Sequence, residues 1–240
     1  MKKLAFLAAL FLSAITASAQ LNVQFHYDMG NEIYGKELSN RPRWTATIES
    51  FTPDKWGSTY FFVDGNFGDN QMHSVYAELA RELKFWKAPI AVHLEYNGGL
   101  SGKTGSYNDA YLAGAAYNWA NKDFSKTFSV QAMYKYLAKQ KIGTKHSWQL
   151  TAVWGVHFAK GLCSFTGFAD LWHDNAVNGS LVFCSEPQFW FNFAPLDWVD
   201  DKCKLSVGAE VELSNNLVWP ADGKNNRFYA IPTLAAKWTF

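Results

Sequence analysis

Nowhere in its 240 residues does the chain carry an apolar run of about 20, the length a helix needs to cross a bilayer. A multipass helical membrane protein is therefore excluded. Cysteine is scarce and odd in number, with Cys163, Cys184 and Cys203. A disulfide framework would use an even set at regular spacing, and none of the three forms C-x-x-C, so no structural zinc site is expected. They read as isolated small apolar side chains. Charge is thin, 18% of residues, and balanced at 22 Lys+Arg against 21 Asp+Glu. Such a balance gives no electrostatic footprint for nucleic acid. Low-complexity segments, periodic repeats and internal domain boundaries are missing as well.

What the chain does have is aromatics: 11 Trp, 11 Tyr and 19 Phe, or 17% of residues, at a mean hydropathy of −0.19. So many large apolar groups would collapse, which excludes disorder. The length suits one all-β domain. The first residues act as an address label. Met1-Lys2-Lys3 is positive, Leu4 to Leu12 is apolar, and Ala17-Ser18-Ala19 is a small-residue cleavage site before Gln20. Together they predict a secretory signal peptide over 1–19, its apolar core too short for an anchor. Its removal takes two lysines and no acids, leaving the mature chain close to neutral.

Beyond residue 20 the chain alternates with period two. In Arg227–Phe240 the even positions Phe228, Ala230, Pro232, Leu234, Ala236, Trp238 and Phe240 form one apolar face. Lys202–Leu213 sets Leu205, Val207, Ala209 and Val211 against Lys204, Ser206, Glu210 and Glu212. His146–Phe158 and Ile90–Asn97 repeat the pattern with Trp148, Leu150 and Trp154, and with Ile90, Val92 and Leu94. Twelve such segments are expected, near 21–30, 41–51, 57–67, 75–85, 89–97, 108–119, 125–137, 146–158, 162–172, 181–194, 202–213 and 227–240. The links after even-numbered strands look short and turn-like, and those after odd-numbered strands mostly longer and polar. An even number of long strands with short turns at one end predicts a single-domain transmembrane antiparallel β-barrel over 20–240, in a bacterial outer membrane. Closure removes every sheet edge, which hydrocarbon requires because it offers no partner to a free amide.

Within Glu49–Asp64 (ESFTPDKWGSTYFFVD), an acidic residue ends one strand, a D-x-W turn follows, and an aromatic strand ends in Asp64. The charged strand Val75–Phe85 comes next, and later the glycine-containing strand Ser164–Trp172. This series resembles the nucleoside-specific channel-forming outer-membrane proteins, the Tsx-like family. The resemblance implies a twelve-stranded barrel whose narrow lumen passes nucleosides. The final Phe240 is similar to the terminal aromatic through which barrel-assembly machinery recognises such proteins. The loops here are shorter than the family's.

With the apolar face toward lipid, the alternate positions line the lumen. The candidate solute-binding residues are Arg41, Arg43, Glu49, Tyr60, Phe62, Asp64, Glu78, Glu82, His93, Glu95, Phe168, Asp170 and Trp190. Aromatic rings there can stack on a flat solute, and carboxylates can accept hydrogen bonds from its hydroxyls. The same ions could instead pair across a narrow barrel and fill it. Arg81 falls on the outward face, where it either snorkels to the headgroups or marks a slipped register.

Some twelve-stranded outer-membrane barrels are lipases, which need an outward Ser–His pair. His26, His93 and His157 fall on the inward face and no outward triad is apparent, so an enzyme is not expected. His93-x-Glu95 and His26-x-Asp28 supply two metal ligands each, fewer than a site needs, and no metal or other cofactor is expected. The expectation is a monomeric channel for small hydrophilic solutes, with nucleosides implied by the resemblance. The alternatives are a closed barrel with a structural or surface-binding role and an outer-membrane lipid hydrolase. The implied partners are outer-membrane lipid, small solutes and the assembly machinery, with no nucleic acid.

Overall fold

The computed structural model describes residues 20–240 apart from 69–70, 103–104, 108, 142, 177–178, 201, 219 and 224–225. The expected signal peptide, 1–19, lies outside the described residues. In chain order the strands are β1 (Gln20–Asp28), β2 (Trp44–Asp54), β3 (Gly57–Phe67), β4 (Met72–Leu83), β5 (Ile90–Ser101), β6 (Gly105–Ser106), β7 (Ala110–Ala120) and β8 (Lys126–Leu137). They continue as β9 (His146–Phe158), β10 (Cys163–Ala176), β11 (Gly179–Ser185), β12 (Gln188–Asn192), β13 (Leu205–Asn215) and β14 (Phe228–Thr239). Each long strand pairs antiparallel with its neighbours, and β14 pairs with β1, from Asn22 opposite Thr239 to Asp28 opposite Thr233. β11 and β12 both lie between β10 and β13, so they form one barrel strand interrupted at Glu186-Pro187. β6 is a short ribbon on the end of β5. The result is a closed antiparallel barrel of 12 strands.

Closure follows from the alternation, because each strand has one face that water rejects and one that it accepts. The outward residues include Ile48, Leu79, Leu94, Val130, Leu150, Val207 and Leu234, every one at least 40% exposed. A band of this kind far exceeds the apolar patches that soluble monomers show, and hydrocarbon is the solvent that suits it. Aromatics bracket the band. At the end holding the chain termini stand Trp56, Trp86, Trp119 and Trp238; at the opposite, loop end stand Trp44, Tyr134, Trp148 and Phe228. Amphipathic rings favour these two interfacial levels.

Arg81 is outward, opposite Thr59 and Leu94, so the register does not slip. Its guanidinium reaches Asp54 at 2.7 and 3.0 Å, beside the β2–β3 turn at the terminal end. The long side chain lies along the apolar wall and delivers its charge to the rim. The link-length expectation holds only loosely. The β12–β13 link, 193–204, is long, whereas 68–71 between β3 and β4 is short. The three cysteines are free.

The interior is less uniformly polar than alternation implies. Ala110, Leu112, Met133 and Leu137 face inward from β7 and β8 and form a buried apolar cluster. A second cluster closes part of the loop end. Between β1 and β2 the chain forms the helix α1 (Gly30–Tyr34) and a 3-10 turn, Gly35–Leu38. That segment folds over the mouth and inserts Leu38 against Val218, Tyr229 and Ile231, with Tyr34 packed alongside. At its rim Glu37 accepts hydrogen bonds from Tyr229 and Arg227, which hold its carboxyl below the usual value.

Candidate functional site: the barrel lumen

Strand pairing fixes which side chains share the lumen. On β1, Asn22, Gln24, His26 and Asp28 face inward and are all buried. Their polar atoms are paired with one another or with the strands on either side. Gln24 donates to Asn22 (2.9 Å) and to Glu49 (2.8 Å), and Asn22 donates to Glu49 at 3.2 Å. His26 contacts Thr233 and Gln24, each at 3.0 Å. Arg41 is clamped between Asp28 (2.7 Å) and Glu212 (2.6 Å) below the inserted Leu38 segment. A half-buried cation between two buried carboxylates satisfies all three groups at once.

Trp190 is fully buried. Its indole N–H donates to Gln188 at 2.9 Å, and Gln188 donates onward to Glu210 at 2.6 Å. The Lys237 ammonium sits 4.0 Å above the ring, and His26 meets its edge. Gly208, directly opposite on β13, makes this possible: a Cβ there would come within 2.6 Å of the indole and 2.2 Å of the Phe189 carbonyl oxygen. The glycine leaves room for the indole to lie against β13.

The β3–β5 side differs. Every residue of β3 is partly accessible, and the inward ones, Tyr60, Phe62, Asp64 and Asn66, can meet water only from the lumen. Tyr60, Phe62, Tyr76 and Tyr107 form a ladder, with successive ring centroids 6.2, 6.0 and 6.0 Å apart, rising toward the loop end. Carboxylates stand beside the rings. Tyr60 donates to Glu49 (3.1 Å), Tyr76 to Glu78 (2.6 Å), and Thr47 to Asp64 (2.6 Å). Across the lumen Asp170 accepts from Thr151 at 2.5 Å. It interacts electrostatically with Glu78, Glu95 and Lys135, so these groups converge on one level.

Of the candidate residues, Glu49, Tyr60, Phe62, Asp64, Glu78, Glu95 and Asp170 thus gather on or opposite this accessible wall. His93 is buried, 2.9 Å from Glu95 and 3.6 Å from Glu82, while Glu82 accepts from Asn118 at 2.6 Å. These three form a lock lower in the barrel. Phe168 is inward on β10 opposite Val153, and its carbonyl receives the Glu186 amide and the Ser185 hydroxyl at the strand interruption. Arg41 and Trp190 belong to the packed wall.

Arg43 departs from its expected lumen position. It precedes β2, where alternation imposes nothing, and α1 brings Glu32 to it at 2.8 Å; Glu32 also accepts from the outward Tyr27. Arg43 therefore stands on the outer rim of the loop end. Residues missing from the sequence-derived set are Tyr76, Asn97, Trp172 and Lys237, all inward. Their parity with Glu78, Glu95, Asp170 and Ala235 was the available signal. His157 hydrogen-bonds Ser164 at 2.9 Å on the inner face, and Asn192 donates to the same hydroxyl. The asparagine holds the serine rather than the imidazole, so the group lacks the order of a nucleophilic triad.

Against known proteins, the family described as "Domain of unknown function (DUF5020)" matches residues 19–240. The chain belongs to that family. No curated protein sequence matches it. Among solved structures the chain is similar to the NanC porin, with a TM-score of 0.57, 12% identity, and coverage of 92% of this chain and 100% of that one. Weaker similarities include Omp33 of Acinetobacter baumannii (TM-score 0.42, 13% identity, 93% and 98% covered). OccK5 (OpdH) of Pseudomonas aeruginosa gives 0.43 at 7% identity, with 95% and 68% covered. At such identities the NanC likeness establishes a shared barrel fold for this member of the family.

Proposed function

We propose that the protein is a monomeric bacterial outer-membrane channel through which small hydrophilic solutes pass by diffusion. The observation that carries this reading is the accessible strip of rings and carboxylates on β3–β5, enclosed in a barrel whose exterior suits lipid. Solute contacts on such a strip are weak and repeated, which favours entry without trapping. Nucleosides are the solute class to test first. A base has two faces to stack on Tyr60, Phe62 or Tyr76, and a ribose has hydroxyls to donate to Glu49 and Glu78. The exposed terminal Phe240 is the proposed recognition point for assembly machinery.

Purified protein in planar bilayers should give a small, steady conductance that added adenosine reduces. Absence of conductance at any voltage would refute the channel. One observation favours a second reading, a closed barrel whose work is done at its surface. Trp190 is fully buried and the Leu38 segment covers part of the mouth. That reading requires the wild-type protein to be electrically silent.

A further inference from the structure

Carboxyl groups inside the barrel outnumber the cations that contact them. Glu49, Asp64, Glu78, Asp170 and Glu186 face the lumen, yet none makes a salt bridge among the described residues. The two lysines that could serve them stand on indoles instead. Lys135 lies 4.4 Å over Trp172 and donates to Gln149 at 2.7 Å, and Lys237 lies 4.0 Å over Trp190. A second, independent observation points the same way. Asn97 is only 5% exposed, faces inward opposite Glu78, and its carbonyl oxygen has no hydrogen-bond partner. A buried acceptor left unmatched is costly unless a donor arrives.

This level of the lumen therefore offers acceptors, more carboxyl groups than cations and the ring faces of Phe62 and Tyr76, while the nearby ammonium of Lys135 is held by Gln149 and Trp172. Among the described residues no cluster has the geometry of a metal site. The complement is an organic ammonium, whose N–H groups can meet Asn97 and Glu78 while its body lies on the rings. Lys135 on Trp172 and Lys237 on Trp190 show the same ammonium-on-ring contact within this lumen. Resting on the channel reading above, we propose that the β3–β5 wall with the facing Asp170 binds small organic ammonium ions and that the channel passes cations in preference to anions.

The test uses one skeleton in three charge states: tyramine, neutral tyrosol and anionic 4-hydroxyphenylacetate, applied to the full chain in planar bilayers. Reversal potentials in a KCl gradient should show a cation preference of about tenfold, the low end of what focused fields in low-dielectric clefts produce. Tyramine should reduce the current at concentrations where the anion does nothing. Glu78→Gln combined with Asp170→Asn should sharply reduce the sign preference. Tyr76→Leu, which keeps both carboxylates, should weaken tyramine block about fivefold through loss of one cation–π face. Conductance without sign preference, or preference for the anion, overturns this inference alone. A sign preference left undiminished by the double substitution also overturns it. Absence of conductance overturns it together with the channel reading.

Discussion

Across one lumen, the wall of β13, β14 and β1 and the wall of β3, β4 and β5 use the same alternation with opposite results. On the first, inward residues from Asn22 to Asp28 and from Tyr229 to Thr233 include hardly an accessible atom, and their polar groups satisfy one another. On the second, carboxylates and rings stand side by side and remain partly accessible. The difference arises above the strands as much as within them. The α1 segment and Val218 fold over the first wall, and Gly208 lets Trp190 cover it. Nothing comparable among the described residues covers β3 and β4. Substitutions on the first wall should therefore act on stability and pore size, and those on the second on what passes.

The largest effect is expected where the packed wall holds its ions. Arg41→Met leaves Asp28 and Glu212 buried without their cation and should cost about 3–5 kcal/mol in urea unfolding from detergent micelles. Trp190→Ala should cost a similar amount, about 3–5 kcal/mol, by emptying the barrel centre. Unlike the arginine change, it should raise single-channel conductance, because the removed ring fills lumen space beside Lys237 and His26. A Trp190→Ala protein with unaltered conductance would place the constriction elsewhere.

Asp64→Asn on the open wall should change stability by less than about 1 kcal/mol, since the amide keeps a hydrogen bond to Thr47. It should nonetheless shift the balance of cation to anion current. The outer clasp is smaller still. Glu37 has a lowered carboxyl value, set by the Tyr229 hydroxyl and then Arg227, so its contribution is complete above the ordinary value of 4.5. That contribution is lost as pH falls through the lowered value. Hydrogen-exchange protection over residues 30–38, corrected for the intrinsic pH dependence of exchange, should fall on acidification through that window, and Glu37→Gln should remove that loss. Last, Arg81→Ala removes a rim ion pair with Asp54 and should cost no more than about 1 kcal/mol.

How far these two walls could be read from sequence follows from what alternation encodes. Parity in 227–240 assigns every outward residue of β14, and the acidic spacing of Glu78 and Glu82 fixes β4. Period two says which side a residue faces but not what lies opposite it. Cross-lumen meetings such as Asp170 with Glu78, or Trp190 with Gly208, depend on closure and stagger around the whole barrel. Arg43 escapes parity because it stands outside any strand, where α1 sets its partner. The apolar lining of β7 and β8 is hidden from alternation for a related reason. Ala, Gly and Leu are compatible with either face, so Ala110, Leu112, Ala116 and Gly114 give alternation nothing to discriminate.

Cysteine accessibility tests the contrast between the walls most directly. In a background with Cys163, Cys184 and Cys203 replaced by serine or alanine, Phe62→Cys and Thr233→Cys would each be exposed to a small, charged, water-soluble thiol reagent. We expect rapid labelling at 62, with a drop in conductance as the lumen fills, and protection at 233. Protection at both positions, or faster labelling at 233 than at 62, would contradict a water path along β3–β5.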